Sequence, residues 1–418
     1  MVSMTDQPEP ERHDAPRLTT RQAAELLGVK PETVYAYVSR GQLSSVRAAG
    51  GRGSTFDAEE VRALAGRSGR RDPTPAGGDL AFRTGITLIE GDRCYFRGVD
   101  ATDLARHYGY EEVAEWLWTG ELRPGARFAA PAPTLAAARR AVEALPAHSG
   151  STDRLRVAVT AAAATDPLRF DLSPTAVLNS ARGLIPTLVG ALPVLGGPAA
   201  EGGSLAAELW SRLSAEPADA PSLAVLDAAL ALLVDHDLAA STLAARVAAS
   251  ARAHPYAVVS AGLGVLEGPL HGAASGLVHR LLREAVDRGS AVPVVADHLR
   301  TGRRVPGLGH RIYRGEDPRA TVLFELLAEV PQAAGALAAA REVVATTARH
   351  APLHANIDLA LAVLSVSRGM AVDAGETVFA VSRTAGWIAH ALEEYGERPL
   401  RIRPSGQYTG PRPPQPLP

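Results

Sequence analysis

The sequence is short of cysteine, of lysine, of long apolar runs and of net charge. Its one cysteine, Cys94, excludes a disulfide framework and a cysteine-cluster zinc site, and it fits a reducing compartment, the cytoplasm. No apolar run approaches the ~18–20 residues of a membrane-spanning helix. The opening MVSMTDQPEPERHDAPR has none of the hydrophobic stretch of a signal peptide, so no membrane partner is expected. Basic and acidic residues nearly balance, 43 against 45, for a net charge of −2. Lys30 is the single lysine, so every other cation is arginine. Codon usage explains such a bias, and so does bidentate recognition of carboxylates and phosphates; composition alone does not separate the two.

What is present is ample apolar material: 46% of 418 residues, enough at ~100–200 residues per domain for two or three domains with a sizeable core. Charge is unevenly placed. Residues 12–71 carry eleven basic and six acidic side chains, a local excess of +5, which leaves −7 for the rest. The stretch SGRRDPTPAGGD (68–79) reads as a linker, with a boundary near residue 75. The expected organisation is a disordered start (1–16), a small basic module (17–66), a linker (67–80), a large body, and a proline-rich tail (412–418). Periodic apolar positions argue for helices over 134–146, 204–215, 222–234, 240–252, 272–287, 316–328, 333–349, 357–370 and 376–395. Strand-like alternation is confined to ITLIEGDRCYFRG (86–98), two short strands about a Gly-Asp turn. The body is therefore expected to be all-α, with no internal repeat.

In the basic module, Thr19 and Gln22 form a capping-box pattern, and Ala23, Leu26 and Leu27 share one helical face. Gly28 ends that helix, Val29 plugs the turn, and Pro31 starts a second helix with Val34 and Val38 inward. Glu32, Thr33, Tyr35, Ala36 and Arg40 are left outward. SSVRAAGGRGSTF reads as a strand–turn–strand wing, after which Asp57 and Glu60 cap a third helix, 58–64. Together these residues resemble the winged helix-turn-helix of MerR-type regulators and excisionase-like proteins. The resemblance implies double-stranded DNA as a partner, with residues 32–36, Thr33 and Tyr35 among them, facing bases, and Arg40, Arg47 and Arg52 beside phosphates. A protein-binding adaptor of the same shape is the alternative.

In the body, several polar residues occupy settings that packing alone does not require. His271, in EGPLHGAASG, stands at the entrance of an apolar helix, where the helix terminus disfavours imidazolium; a neutral ring there donates to a carbonyl as an electrophile. His310 follows a Gly307-x-Gly309 turn and precedes Arg311, Arg314 and Arg319, which suggests an anionic ligand close to backbone. Asp358 and Arg383 lie within largely apolar helices. Each has a structural alternative: Asp358 as a helix cap, Arg319 as the partner of Asp317. His254, His279, His298, His350 and His390 read as surface or core residues.

Taken in order, ITLIEGDRCYFRGVDATDLARHYGYEEVAEWLWTGELR, VDHDLAASTLAARVAAS, GPLHG, PGLGHRIYRGEDPRA, NID, VSRTAGWIAHALE and RIRPSGQYTGP resemble the citrate synthase family, over residues 82 to 411. The resemblance implies a helical large domain (81–271 and 358–411) and a small mobile domain (272–357) within a homodimer. It implies condensation of acetyl-CoA with oxaloacetate and hydrolysis to citrate and CoA, with acetyl-CoA a substrate and no metal or other cofactor. His271 matches the histidine on the thioester oxygen, Asp358 the base, and His310 the histidine on the ketone. His236, Arg319, Arg383 and Arg403 match the oxaloacetate-binding residues, Arg403 through the neighbouring subunit's site, while Arg314, Gly307 and Gly309 match the CoA side. Ala273 and Ser275 replace residues of the family's common HGGAN, and Leu-Ala-Leu-Ala follows Asp358. These positions border the acyl pocket, so 2-methylcitrate synthesis from propionyl-CoA is an alternative. A DNA-binding metabolite sensor with a body of this shape is another.

Overall fold

The structure is a computed structural model that describes residues 17–27, 29–39, 42–47, 53–67, 82–197, 202–268, 271–272, 274–402, 409–412 and 415. It separates into two compact units, Met1–Arg83 and Thr84–Pro418.

In the first unit β1 (Arg17–Thr19) leads into α1 (Thr20–Leu27) and α2 (Pro31–Ser39), and β2 (Ser45–Arg47) and β3 (Ser54–Asp57) lead into α3 (Ala58–Arg67). The three strands form one antiparallel sheet in the order β1-β3-β2. The capping box forms: the Gln22 carbonyl accepts from the Thr19 amide at 2.9 Å, and Thr19 Oγ1 accepts from the Gln22 amide. Two expectations are corrected. Leu26 is 45% exposed, and Ala24 takes its place in the core beside Ala23, Leu27, Val34, Leu43, Phe56 and Val61. The inward face of α1 is the one that meets α2, α3 and β3 together, a demand invisible in its own periodicity. Glu60 does not cap α3; Asp57 alone does, accepting from the amides of Glu59 and Glu60, while the Glu60 carboxylate reaches across to the amide and hydroxyl of Ser44.

The second unit opens with a hairpin, β4 (Thr87–Glu90) and β5 (Arg93–Phe96), plus β6 (Val99–Asp100), with Gly91 and Asp92 at positive φ in the turn. Helices follow: α4 (Ala101–His107), α5 (Tyr110–Thr119), α6 (Ala132–Glu143), α7 (Ser151–Thr165), α8 (Pro174–Ala191), α9 (Leu205–Leu213), α10 (Ala220–Leu233), α11 (Ala240–Ser250) and α12 (Pro255–Leu266). After these come α13 (Ala274–Arg288), α14 (Val292–Arg300), α15 (Pro318–Ala328), α16 (Ala334–Ala348), α17 (Ile357–Ser367) and α18 (Ala374–Gly396). The nine periodic segments are all helical, but α4, α5, α7, α8, α12 and α14 escaped that reading. The contrast on which periodicity depends is weak in several of them. α12 is apolar almost throughout, α7 is rich in alanine, and α8 carries Pro186 inside it. No single described helix is long and apolar enough to cross a membrane.

Helix α18 is the axis of the body, packed against α5, α8, α10, α11 and α12. Close approach is achieved with glycine. A Cβ on Gly262 of α12 would lie 2.5 Å from the Trp387 ring, and one on Gly386 would lie 2.2 Å from the Val234 carbonyl. We expect Gly262→Ala to lower stability by about 1–3 kcal/mol through overpacking, seen as a lower denaturation midpoint at unchanged m-value.

Candidate active site

Loop 307–310 and the entry to α17, far apart in sequence, are joined by backbone. The Gly309 amide donates to the His354 carbonyl at 2.7 Å, the Asn356 amide to the Gly307 carbonyl at 3.0 Å, and Asn356 Nδ2 to the Gly309 carbonyl. Gly307 and Gly309 sit at φ +84° and +76°, and a Cβ on Gly307 would meet Val278 at 2.7 Å. Backbone geometry and packing thus account for both glycines, whatever binds nearby. The pairing sets His310 and Asp358 on one side of the body.

A buried ion pair holds this junction. Asp317 accepts from Arg319 Nε at 2.9 Å and from Arg319 Nη2 at 2.8 Å, and its Oδ2 also accepts from the Ile357 amide at 3.1 Å. Burial raises the Asp317 pKa, but the Arg319 charge and hydrogen bonds outweigh it and leave the carboxyl below its ordinary value. The structural reading of Arg319 is therefore realised, and the same guanidinium also lies 3.4 Å from His310 Nε2.

His310 Nδ1 accepts from the amides of Ile312 and Tyr313, so the neutral ring carries its proton on Nε2. Burial, with Arg319 adding, lowers its pKa to about 4. His236 is buried edge-on to His310, with centroids 5.2 Å apart, and its Nε2 lies 2.8 Å from the Tyr313 hydroxyl. Burial first, then Arg319 and Arg383, keep His236 neutral. Asp358 occupies the second position of α17, and its amide donates to the capping side chain of Asn356, so Asp358 is not the cap. Burial, reinforced by Asp317 and opposed by Arg319, raises its carboxyl to about 6.

His271 lies before α13 with Nε2 2.7 Å from Ser241 Oγ and its ring edge-on to Phe379. Burial and then Arg383 lower its pKa to about 4. When the Ser241 hydroxyl donates, His271 presents an Nδ1–H. Arg383 is buried in α18, with Nε donating to the Leu233 carbonyl at 2.8 Å and the guanidinium 4.6 Å from the Phe379 ring centre. Its Nη2 has no hydrogen-bond partner among the described residues.

The structure therefore gathers His236, His271, His310, Arg319, Asp358 and Arg383 about one region, joined by direct contacts and by the fields that shift their pKa values. Arg314 is exposed nearby, and its amide donates to Asp92 in the β4–β5 turn. Arg403 and Ala273 lie outside the described residues. Ser241, Tyr313 and Phe379 were missed by the sequence reading. Tyr313, an aromatic in an arginine-rich loop, offered a signal; Ser241 and Phe379 offered none. A groove of about 740 Å³ lined by Asp153, Arg156 and Thr160 lies elsewhere in the same unit and holds none of these groups. Among the described residues, no group of three or more His, Cys, Asp or Glu is disposed to hold a metal ion.

In the first unit, Thr33 is partly exposed and Tyr35 is 47% exposed, its hydroxyl 3.2 Å from that of Thr20. Arg47 is exposed at the end of β2, while Arg40 and Arg52 lie outside the described residues.

Neutral histidines, a carboxylate of raised pKa and buried arginines are the groups of an acid–base site. Residues 77–405 match the family model "Citrate synthase, C-terminal domain", and residues 17–67 match "Helix-turn-helix domain". The citrate synthase of Haloferax volcanii is 33% identical over 362 residues, covering 80% of this chain and 94% of its own. The 2-methylcitrate synthase of Shewanella oneidensis is 27% identical, covering 82% and 96%. The crystal structure of citrate synthase from Thermotoga maritima superposes with a TM-score of 0.63 at 25% identity, covering 82% of this chain and 96% of that one. That from Pyrobaculum aerophilum gives 0.69 at 24% identity over 90% and 97%. The chain belongs to the citrate synthase family and is an enzyme of the citrate synthase type, preceded by a helix-turn-helix module.

Removing the carboxylate charge beneath Arg319 would leave a buried cation uncompensated. Asp317→Asn is expected to destabilise the body by about 3–5 kcal/mol, measured by chemical denaturation.

Proposed function

We propose that this enzyme condenses acetyl-CoA with oxaloacetate and hydrolyses the resulting thioester, so that acetyl-CoA, oxaloacetate and water give citrate, CoA and a proton. The observation that carries the reading is the grouping of two neutral imidazoles and a carboxylate of raised pKa about two buried arginines: His310 beside Arg319, Asp358 within the field of Arg319, and His271 within that of Arg383.

Ionised Asp358 takes a proton from the acetyl methyl group while His271 donates a hydrogen bond to the thioester oxygen as negative charge develops there. The enol carbon attacks the oxaloacetate ketone, whose oxygen receives the Nε2 proton of His310. The proton that Asp358 took from the methyl group returns to His310, so that both groups regain their starting states. Water then adds to the thioester carbonyl, and CoA leaves as the thiol. A dicarboxylate would be held by His236, Arg319, Arg383 and Arg403. Arg383, with an unpartnered Nη2, is better placed to take a carboxylate than Arg319, whose fork is already occupied by Asp317. By resemblance we assign Arg314, Gly307 and Gly309 to the CoA side. Each step is proton transfer or carbonyl addition, so we assign no metal or resident cofactor. By resemblance we assign a cytoplasmic homodimer, in which residues 272–357 close on the large domain and exclude water. Support for the ligand pair comes also from a citrate synthase of Thermoplasma acidophilum, solved as a ternary complex with carboxymethyl coenzyme A and oxaloacetate.

Thiol release on mixing oxaloacetate with each acyl-CoA tests the reaction. Asp358→Asn should lower kcat by about 10²–10⁴-fold. Because the base works ionised and its pKa is raised to about 6, wild-type kcat/KM should fall as pH drops through 6. Absence of thiol release in wild type would favour the metabolite sensor. A propionyl-CoA preference beyond about tenfold, within the ~10–200-fold that one methylene can confer, would favour 2-methylcitrate synthesis.

For the first unit we propose binding to double-stranded DNA through the outer face of α2, including Thr33 and Tyr35, with Arg40, Arg47 and Arg52 on phosphates. Binding should weaken steeply with salt. Arg47→Ala should lower affinity uniformly across sequences and reduce the salt slope by about 1, read by fluorescence anisotropy. No binding at low salt would leave a protein-binding adaptor as the better reading.

A further inference from the structure

The reaction scheme gives no part to Tyr313, a buried residue packed against two of the histidines it uses. Centre to centre, its ring lies 4.7 Å from that of His310 and 5.4 Å from that of His236, and the Arg319 guanidinium is 5.5 Å from its own centre. The loop that carries it is fixed by backbone. The Tyr313 amide donates to His310 Nδ1 at 3.3 Å, and the next two amides, of Arg314 and Gly315, donate to the Asp92 carboxylate at 2.9 and 3.0 Å. From this anchored position the hydroxyl reaches Nε2 of His236, 77 positions earlier in the chain, at 2.8 Å. His236 itself stands edge-on to His310, 5.2 Å away, beside the group assigned to the ketone. Among the described residues, no hydrogen bond reaches its other ring nitrogen, Nδ1.

A neutral imidazole has two tautomers, and the contact with Tyr313 selects one of them. Were Nε2 the donor, the phenol hydrogen would need an acceptor of its own. The other group at that hydroxyl, among the described residues, is the Cys94 thiol, which burial keeps protonated, its pKa pushed up to about 12. Sulfur accepts weakly and an imidazole nitrogen well, so the hydroxyl donates to Nε2 and the ring hydrogen stands on Nδ1. We propose that Tyr313 is a positioning residue whose hydroxyl fixes this tautomer, so that His236 offers an Nδ1–H to an oxygen of the bound dicarboxylate. Without the hydroxyl the hydrogen is free to move to Nε2, and Nδ1 would then meet an anion with a lone pair. This rests on the dicarboxylate reading of the site. It also gives two histidines one organiser, since the Tyr313 amide helps to set the hydrogen of His310 and its hydroxyl sets that of His236.

Tyr313→Phe removes the hydroxyl and keeps the ring against His310 and Arg319. Calorimetric titration of oxaloacetate into the full-length variant should show affinity lowered about tenfold, the loss of one hydrogen bond to a charged ligand, while the acetyl-CoA KM stays within about twofold. Imidazole nitrogen NMR on histidine-labelled protein reads the tautomer itself, with the His236 signals identified by their loss in His236→Leu. Wild type should show the Nδ1–H form, and Tyr313→Phe a mixture that includes Nε2–H. Adding Tyr313→Phe to His236→Leu should change oxaloacetate affinity by less than about twofold, because the hydroxyl acts only through that ring. An unchanged affinity in Tyr313→Phe, as a merely structural hydroxyl would give, overturns the proposal. So does a full loss in both backgrounds, which would put the hydroxyl on the substrate directly, or the Nε2–H form in wild type. Should Tyr313→Phe fail to fold, the wild-type spectrum still decides the tautomer. If wild type itself binds no oxaloacetate, the dicarboxylate reading fails first, whatever tautomer the spectrum shows.

Discussion

The Asp317–Arg319 pair is the interaction on which the candidate site depends. It is buried, doubly hydrogen-bonded, and placed where two distant stretches of chain meet. Through the Ile357 amide, Asp317 locates the first turn of α17 and hence Asp358; through its guanidinium, Arg319 reaches His310. Two buried charges in such contact are individually costly to desolvate and become tolerable only together. Burial chiefly raises the Asp358 pKa, and the same pair sets opposing fields on it, Arg319 lowering it and Asp317 raising it.

A second theme is the segregation of protons. His236, His271 and His310 are kept neutral mainly by burial, and the buried arginines reinforce that bias. Neutral rings donate one hydrogen bond in a fixed direction, which suits charge that appears on an oxygen only during reaction. Backbone amides fix the direction for His310, and the Ser241 contact restrains His271. Both arrangements use a neutral imidazole. Around them α18 supplies Phe379 and Arg383 from successive turns, so one helix carries a ring against His271 and a buried cation.

Much of this was legible in the chain. The capping box at Thr19, the wing strands, the hairpin over 86–98 and nine helices follow from local rules of capping, alternation and amphipathic spacing, and the ordered motifs point to the family. The failures share one cause. Leu26 and Ala24 exchanged roles because α1 packs on α2, α3 and β3 at once, and Glu60 left the α3 cap because Ser44 was within reach. Helices α7, α8 and α12 were overlooked because alanine content or burial on all sides erases the contrast that periodicity measures.

What the sequence by itself determined was the inventory: one thiol, nearly all cations as arginine, a basic module ahead of an apolar helical body, and histidines set beside glycines. Those are properties of composition and near neighbours, which short-range sterics and hydrogen bonding govern. What only the tertiary structure decided was which of those groups face one another and in what protonation state. Ser241 beside His271, Tyr313 against His236, and Thr87 on Asp235 join residues from distant elements, two of these pairs more than seventy positions apart. Their pKa values arise from burial and from charges brought in by other helices, and neither quantity exists until the chain has packed.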